Sequence, residues 1–401
     1  MASIKKWFRK RVSGKKDEPS PLSQLPLLPA QRPHCLTPSA SSEDLTSYYL
    51  FNYGSFGCLP PEIRREILIL AFGARTIHVD LSFGYPLIRE NKLKRPGNHL
   101  APRRTDKDTH YGIGSDLVTN NLMPRRWQWL SCVCHRSPPT LPEGCKATPL
   151  PYDDECLRAT SCSYTLEDGT RKKRENLDSC FIGVLGWLLA CHMAYTEGID
   201  VLFATNTFHF SRLEILENLP GLFLRQRLAR ITSLEINWHS QKLNDRTGHY
   251  VYYLVWPWQQ IPVGEPYTPF HNLCRLIPDV FPHAHHLYIS FQDFLLEPRG
   301  EIFETFVVES ITLRPIEEMV RVLGSGRQVK VALPKEAFGI MLTRNRESHG
   351  NDLIIETDKD NRHQVRVWKA LEPTGDLGYW IAPGLDTFFP RYQADEHIFR
   401  L

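Results

Sequence analysis

The sequence has no long hydrophobic run and no strong excess of charge of either sign. Its longest apolar stretch, residues 181–191, is eleven residues long, whereas a helix that crosses a bilayer needs about 20. The formal net charge is only +3, with 48 Lys and Arg against 45 Asp and Glu, well short of the basic excess typical of nucleic-acid-binding proteins. We therefore expect neither a membrane nor a nucleic acid as a partner.

The sequence also lacks the marks of a secreted protein. It has ten cysteines in 401 residues and no Asn-x-Ser/Thr glycosylation site, which is unlike a disulfide-stabilised secreted scaffold. The basic start, residues 1–16, lacks the apolar core of a signal peptide. We expect a cytoplasmic or nuclear protein with reduced cysteines. Because the start is basic and free of acidic residues, import into mitochondria is the lesser alternative.

Fingerprints of catalysis and of cofactor binding are missing as well. The chain contains no Walker phosphate loop, no Gly-x-Ser-x-Gly motif and no His-Glu-x-x-His motif. Thiolates and imidazole are the usual ligands of tetrahedral zinc, and the best candidates of this kind are Cys132, Cys134, His135 and Cys145, followed by Cys156 and Cys162. No Cys-x-x-Cys pair occurs among them, so we predict free thiols, no metal, no cofactor and no enzyme.

Composition and pattern divide the chain into five segments. Residues 1–50 are basic and then rich in Pro and Ser, and are expected to be disordered. Residues 51–89 hold a helix and a strand, and residues 90–176 form an irregular insertion whose one regular stretch is 127–134. Residues 177–345 carry helix–strand units, and residues 346–401 add strand-like stretches at 364–368 and 379–381 before an irregular tail.

A helix is predicted from Pro60 and Pro61 to Phe72. Proline is tolerated in the first helical turn, and Gly73 follows as a C-cap. One apolar stripe consists of Leu59, Ile63, Ile67 and Leu70. Apolar residues also fill the other sides of the second half, so that half is expected to be buried all round. Alternation over residues 76–83 predicts a strand directly afterwards.

Residues 180–198 show helical spacing and lead into a β-rich run over residues 199–210. Helical and strand patterns then alternate, with the predicted pairs 222–229 and 232–238, 273–281 and 286–291, and 317–323 and 328–333. Such units favour parallel strands with right-handed crossovers. The fold class is thus mixed α/β, and the irregular units resemble degenerate leucine-rich repeats.

Two blocks of the sequence, residues 59–72 and 180–210, are similar to a known family. The second block contains Leu202-Phe203-Ala204-Thr205-Asn206-Thr207-Phe208, which resembles the family's strand motif of leucine, tyrosine, two variable residues, asparagine, threonine and phenylalanine. The family is a large group of uncharacterised fungal proteins, a domain of unknown function with an F-box-like start. The resemblance spans residues 57–342 and implies a fold more than an activity.

The F-box-like start implies a non-enzymatic protein-interaction protein. By this resemblance, the first helix would bind a Skp-type linker, and the helix–strand units would present a substrate to a cullin-based ubiquitin ligase. The residues that would dock the partner are Leu59, Pro60, Glu62, Ile63, Ile67 and Leu70. The alternative is a structural scaffold without a ubiquitin-ligase link, in which these residues belong to the core.

Overall fold

The computed structural model describes residues 25–29, 53–89, 117–120, 122–134, 145–146, 163–166, 171–173, 182–239, 242–244, 250–252, 269–292, 309, 312–349, 354–357 and 365–384. No helix within these ranges is both long enough and apolar enough to cross a bilayer.

The predicted first helix and strand are both present. Helix α1 is Pro61–Phe72, preceded by a short 3-10 helix, Gly54–Cys58, and strand β1 is Thr76–Gly84. Strand β2 (Leu87–Arg89) follows β1 before the insertion begins. The insertion contributes β3 (Leu117–Thr119), β4 (Arg126–Val133), β5 (Cys145–Lys146), β6 (Ser163–Leu166) and β7 (Arg171–Lys173), so it holds more strands than the single regular stretch that was predicted. Strand β4 pairs antiparallel with β1, so the one regular stretch of the predicted insertion belongs to the main sheet.

The helix predicted over residues 180–198 is in fact broken. Helix α2 is Val184–Leu188 and helix α3 is His192–Ala204, and between them Cys191 is extended while its Sγ accepts a hydrogen bond from the Ala194 amide. The β prediction for residues 199–206 was wrong, because α3 runs through most of them and strand β8 is only Thr207–Phe210. Helix α3 packs on α1 on one side, while its Phe203 stacks on Phe208 of β8. Because α3 is apolar on both of these sides, its sequence does not show the period of an amphipathic helix.

The remaining helices are α4 (Leu213–Leu222), α5 (Arg225–Leu228), α6 (Pro269–Val280), α7 (Arg314–Leu323) and α8 (Lys335–His349). The remaining strands are β9 (Ser233–His239), β10 (Lys242–Asn244), β11 (Tyr250–Tyr252), β12 (His286–Gln292), β13 (Gln328–Leu333), β14 (Ile354–Thr357), β15 (Val365–Ala370) and β16 (Gly378–Pro383). The three strands predicted in the helix–strand units and the two strand-like stretches near the end are confirmed. The helix predicted over 222–229 is instead the end of α4 followed by α5, because Phe223 between them is extended.

Nine strands form the main sheet in the order β14-β15-β16-β13-β12-β9-β8-β1-β4. The six strands from β1 to β16 are mutually parallel and lie in chain order, and the antiparallel strands are at the two sides. When all crossover connections are right-handed and the chain moves across the sheet in one direction, the helices lie on one face of the sheet. The contacts of α6 with both α4 and α7 agree with this arrangement. The mixed α/β class and the mainly parallel sheet are confirmed, and the leucine-rich-repeat resemblance stays a prediction.

The two faces of the sheet differ in chemistry. On the helix-covered face, one ladder rung contains the buried residues Phe208, Leu234, Leu287 and Val329. The next rung points to the other face and contains His209, Glu235, Tyr288 and Lys330. This alternation follows from the two-residue period of a strand, and it places the main core between sheet and helices.

Part of the N-terminal tail that we predicted to be disordered lies against this body. Leu25 packs on the main core, and the Leu28 amide donates a hydrogen bond to the Gly221 carbonyl at 2.7 Å. The other residues of the 1–50 segment lie outside the described part of the chain.

Candidate docking surface

Three of the residues predicted to dock a partner form an exposed apolar stripe on α1. Ile63, Ile67 and Leu70 are 49%, 39% and 80% exposed. Residues three and four apart lie on the same side of a helix, so these side chains are neighbours, and we call them the α1 stripe. Of the other predicted docking residues, Pro60 and Glu62 are exposed and Leu59 is half-buried.

The opposite side of α1 is embedded in the protein. Leu68 and Phe72 are buried in a small cluster with Val184 and Val201, which come from α2 and α3. The prediction that the second half of α1 is buried on every side was therefore wrong. Among the helices described, α1 packs on α2 and α3 on this side only, and its outer side, including Leu70, is exposed to solvent.

A buried ion pair fastens α1 to α3. Arg64 Nε lies 3.0 and 3.1 Å from the two carboxylate oxygens of Glu197, and Arg64 Nη2 lies 2.6 Å from Oε1. Arg64 Nη1 also donates to the Leu59 carbonyl at 2.6 Å, and the Tyr53 hydroxyl donates to Glu197 Oε2 at 3.0 Å. The Arg64 and Glu197 side chains are only 7% and 22% exposed. A bidentate pair of this kind is stronger and more directional than a surface ion pair.

Protonation states favour this network. The hydrogen bonds to Glu197 raise the pKa of the Arg64 guanidinium, despite the opposing effect of its burial. Burial, together with the neighbouring Glu197 carboxylate, raises the pKa of the Tyr53 phenol far above its ordinary value. Arg64 therefore keeps its charge, and Tyr53 stays a neutral hydrogen-bond donor throughout the physiological range.

The sequence pattern did not reveal this network. Arg64 and Glu197 are 133 residues apart, and neither helical spacing nor charge pairing within one helix connects them. The only local signal was the position of Arg64, one residue away from the apolar stripe and four residues before buried Leu68. A solvated arginine on a surface helix has the same appearance in sequence.

Asn206, the asparagine of the second sequence block, joins that block to α1. Its Nδ2 donates to the carbonyls of Phe72 and Leu202 at 3.0 and 2.9 Å, and its Oδ1 accepts from the Arg75 amide at 2.9 Å. Asn206 is completely buried. The last carbonyls of a helix have no partner within the helix. The Asn206 side chain supplies that partner at the ends of both α1 and α3, and its bond to the Arg75 amide holds the residues that lead from α1 into β1.

Gly73 allows the close approach at this junction. A Cβ atom added to Gly73 would lie 2.6 Å from Thr205 Oγ1 and 2.9 Å from the Cα atom of Ile69. Its φ of −94° is accessible to any residue, so lack of space and not backbone conformation requires glycine here. The prediction that Gly73 is the C-cap of α1 is confirmed, and the limited space around it is the reason that this position needs glycine.

A second polar cluster lies on the sheet face away from the helices. His209 Nδ1 is 3.0 Å from Glu235 Oε2, and the rings of His78 and His209 are 4.5 Å apart between centroids. Arg212 Nε donates to Asp80 Oδ1 at 3.1 Å. Each buried carboxylate therefore has a basic side chain beside it, which offsets the cost of removing it from water. The ionisable groups of this cluster pair with one another, and we therefore assign the cluster a structural role in the sheet.

The residues predicted as metal ligands are only partly described. Cys132 and Cys134 are buried at the end of β4, and Cys132 lies across from His78 in the β1–β4 ladder. Only the backbone of Cys145 is described, and His135, Cys156 and Cys162 lie outside the described residues. Within the described residues, no group of three or more His, Cys, Asp or Glu is arranged to hold a metal ion.

Comparison with known protein families gives a match that includes the second sequence block, residues 180–210. No curated protein and no solved structure matches the chain. A family model matches residues 123–253. This region contains β4, α2, α3, Asn206 and β9, and it begins after α1 in the sequence. The predicted relation to a domain of unknown function is thus confirmed for this region, whereas the F-box-like character of α1 and the fungal origin stay predictions. About a third of the 401-residue chain is therefore similar to the domain of unknown function DUF7730.

Proposed function

We propose that this protein is a non-enzymatic protein-interaction protein that docks a partner protein through the α1 stripe. The observation that carries the proposal is the exposure of Ile63, Ile67 and Leu70 on a helix whose other side is firmly anchored. Contiguous apolar side chains on the outside of a helix are typical of protein-binding surfaces. The stripe would be covered when the partner binds.

The anchoring of α1 adds to this proposal. Leu68, Phe72 and the Arg64–Glu197 pair hold the helix in one position before any partner arrives. A preorganised surface loses less conformational entropy on binding than a flexible one. Glu62, Arg65 and Glu66 are exposed on the same helix and would supply the polar rim that surrounds an apolar centre in protein interfaces.

The partner that we propose is a Skp-type ubiquitin-ligase linker, in keeping with the F-box-like pattern of residues 59–72. In this role the helix–strand units would be the region that receives a substrate protein.

The second candidate is a structural scaffold without a ubiquitin-ligase link. One observation favours it, since α1 is connected to the body through Asn206 and Arg64 as a permanent part of the fold. In this case the α1 stripe would not bind a Skp-type linker, and the protein would act by binding a different protein.

A pull-down of the purified chain with a Skp-type linker tests the proposal. Wild type is compared with Ile63→Ala/Ile67→Ala and with Val322→Ala, a matched control because Val322 on α7 is also an exposed apolar residue, at 72%. Circular dichroism and thermal melting establish that all three proteins are folded. We expect wild type and Val322→Ala to bind, and Ile63→Ala/Ile67→Ala to lose binding while it stays folded.

Two outcomes contradict parts of the proposal. If the folded Ile63→Ala/Ile67→Ala variant binds as well as wild type, the α1 stripe is not the docking surface. If folded wild type does not bind the linker at all, the ubiquitin-ligase role is wrong and the scaffold alternative replaces it.

A further inference from the structure

A short segment of the N-terminal tail, Leu25-Pro26-Leu27-Leu28-Pro29, is seated on the end of α4. Leu25 packs on the main core, and the Leu28 amide donates to the Gly221 carbonyl at 2.7 Å. Leu27 is 53% exposed, and its Cδ2 atom would lie 3.1 Å from a Cβ atom placed on Gly221. The neighbouring residues on both sides of the segment lie outside the described part of the chain. The described residues of the segment are held by an apolar anchor and one main-chain hydrogen bond to the body.

The local chemistry of α4 creates a place for such a segment. Pro220 lies within the last turn, and Asn218 just before it leaves the helical conformation, with φ −118° and ψ 16°. The last carbonyls of a helix need partners from outside the helix, and the Leu28 amide supplies one to Gly221. Because Gly221 has no side chain, a chain can approach its backbone closely. Among the described residues outside its own helix, a Cβ atom added to Gly221 would meet Leu27.

Two aromatic side chains contact each other just after Gly221 in the fold. Phe223, two residues after Gly221, is half-buried, and its ring lies 5.2 Å from that of Trp129. Trp129 on strand β4 is 44% exposed. Aromatic surfaces of this kind bind extended proline-containing segments, because proline restricts the free chain and lowers the entropy lost on binding.

We propose that the end of α4 is a peptide-binding surface for extended segments that carry leucines between prolines, and that residues 25–29 are its resident occupant. A partner protein with a segment of the same chemistry would compete with the tail for this surface. The site is separate from the α1 stripe, and the proposal does not depend on the function proposed for α1.

Binding of a free peptide to the full-length chain tests this proposal. The probe is a fluorescent peptide with the sequence of residues 20–34, and binding is followed by anisotropy. The tail of Leu25→Ser/Leu28→Ser should leave the surface, so this variant should bind the peptide at least about tenfold more tightly than wild type. In wild type the tethered segment competes at an effective concentration in roughly the millimolar range.

Two further variants make the test specific. Adding Gly221→Val to Leu25→Ser/Leu28→Ser should abolish peptide binding, because the new side chain occupies the space of Leu27. Adding Gly339→Val instead should leave binding unchanged, because Gly339 on α8 has open space around it. Circular dichroism establishes that each variant is folded. If the folded Leu25→Ser/Leu28→Ser variant binds no better than wild type, or if Gly221→Val has no effect on binding, the proposal is wrong.

Hydrogen exchange of the otherwise unchanged chain gives an independent test that does not require the double variant to fold. The Leu28 amide should be protected in wild type and in Gly339→Val, and should lose its protection in Gly221→Val while the amides of α4 keep theirs. Equal protection of Leu28 in the folded Gly221→Val variant would contradict the seating of the segment on Gly221. Unfolding of Leu25→Ser/Leu28→Ser would show that the segment is an integral part of the core and not an exchangeable ligand.

Discussion

Arg64 and Glu197, 133 residues apart in the chain, form a bidentate ion pair that connects α1 to α3. The Tyr53 hydroxyl and the Leu59 carbonyl complete the hydrogen bonding of the pair. The first residue belongs to α1, which precedes the matched region, and the second belongs to the region similar to DUF7730. The ion pair therefore makes one structural unit of two regions that the sequence separates by a long insertion.

Removal of the Glu197 carboxylate should destabilise the protein strongly. Glu197→Ala leaves the buried Arg64 charge without its partner, and we expect a loss of about 3 kcal/mol in the free energy of unfolding measured in urea. The double substitution Arg64→Met/Glu197→Leu removes both charges and should recover most of that loss. A double substitution as unstable as Glu197→Ala would contradict the role given to the unpaired charge.

The neighbouring Arg65 is the control for this prediction. Its side chain is 47% exposed and lies 3.8 Å from Asp200, which is itself 39% exposed. Surface pairs of this kind contribute little, so Arg65→Ala should change the free energy of unfolding by less than about 0.5 kcal/mol.

Two leucines of α1 should respond differently to the same substitution. Leu68 is 2% exposed, and Leu70, two residues later, is 80% exposed. We expect Leu68→Ala to cost about 2 to 5 kcal/mol, because it removes core contacts and leaves a cavity. Leu70→Ala should cost less than about 0.5 kcal/mol. Denaturant titration measures both, and equal costs would mean that Leu70 is covered in solution.

Gly73 and Gly339 should respond in opposite directions to alanine. Gly73→Ala places a methyl group against Thr205 and the backbone of Ile69, and we expect a loss of about 1 to 3 kcal/mol from overpacking. Gly339→Ala on α8 meets no atom of the described residues beyond its own helix within 4 Å and should stabilise the protein by up to about 1 kcal/mol, because alanine favours the helix. Thermal melting distinguishes them, and a neutral Gly73→Ala would contradict the close approach.

Tyr53 should make the stability depend on pH in the alkaline range. Its pKa is raised by burial and by Glu197, so above about pH 10 the unfolded chain loses the Tyr53 proton while the folded chain keeps it. Its contribution is complete below the unfolded pKa and is lost as the pH rises toward the folded pKa. Between pH 10 and 11 the stability of wild type should fall faster than that of Tyr53→Phe, by up to about 1.4 kcal/mol per pH unit. Parallel urea titrations of the two proteins should therefore diverge, and identical slopes would be the contrary result.

Elements with a clear period were predictable from the sequence. Strands β9, β12 and β13 alternate, and α1 begins at the Pro60-Pro61 pair, so their places were predicted to within one or two residues. Residues 199–204 were mistaken for a strand because α3 packs between α1 and the sheet and is apolar on both sides. The stripe itself could be predicted from spacing, since Ile63, Ile67 and Leu70 recur on one side of a helix, but its exposure could not, because apolar residues also occupy the other sides of α1.

The sequence alone determined the mixed α/β class, the parallel strand units and the apolar stripe of α1, because periodicity is a local property that neighbouring residues carry. Only the tertiary structure decided which side of α1 is buried, because that depends on where α3 lies and on the pairing of Arg64 with a residue 133 positions away. The same holds for Asn206, whose three hydrogen bonds reach two helix ends and the approach to β1. A side chain's local pattern does not show which distant backbone groups it will satisfy, since chain topology brings those groups together.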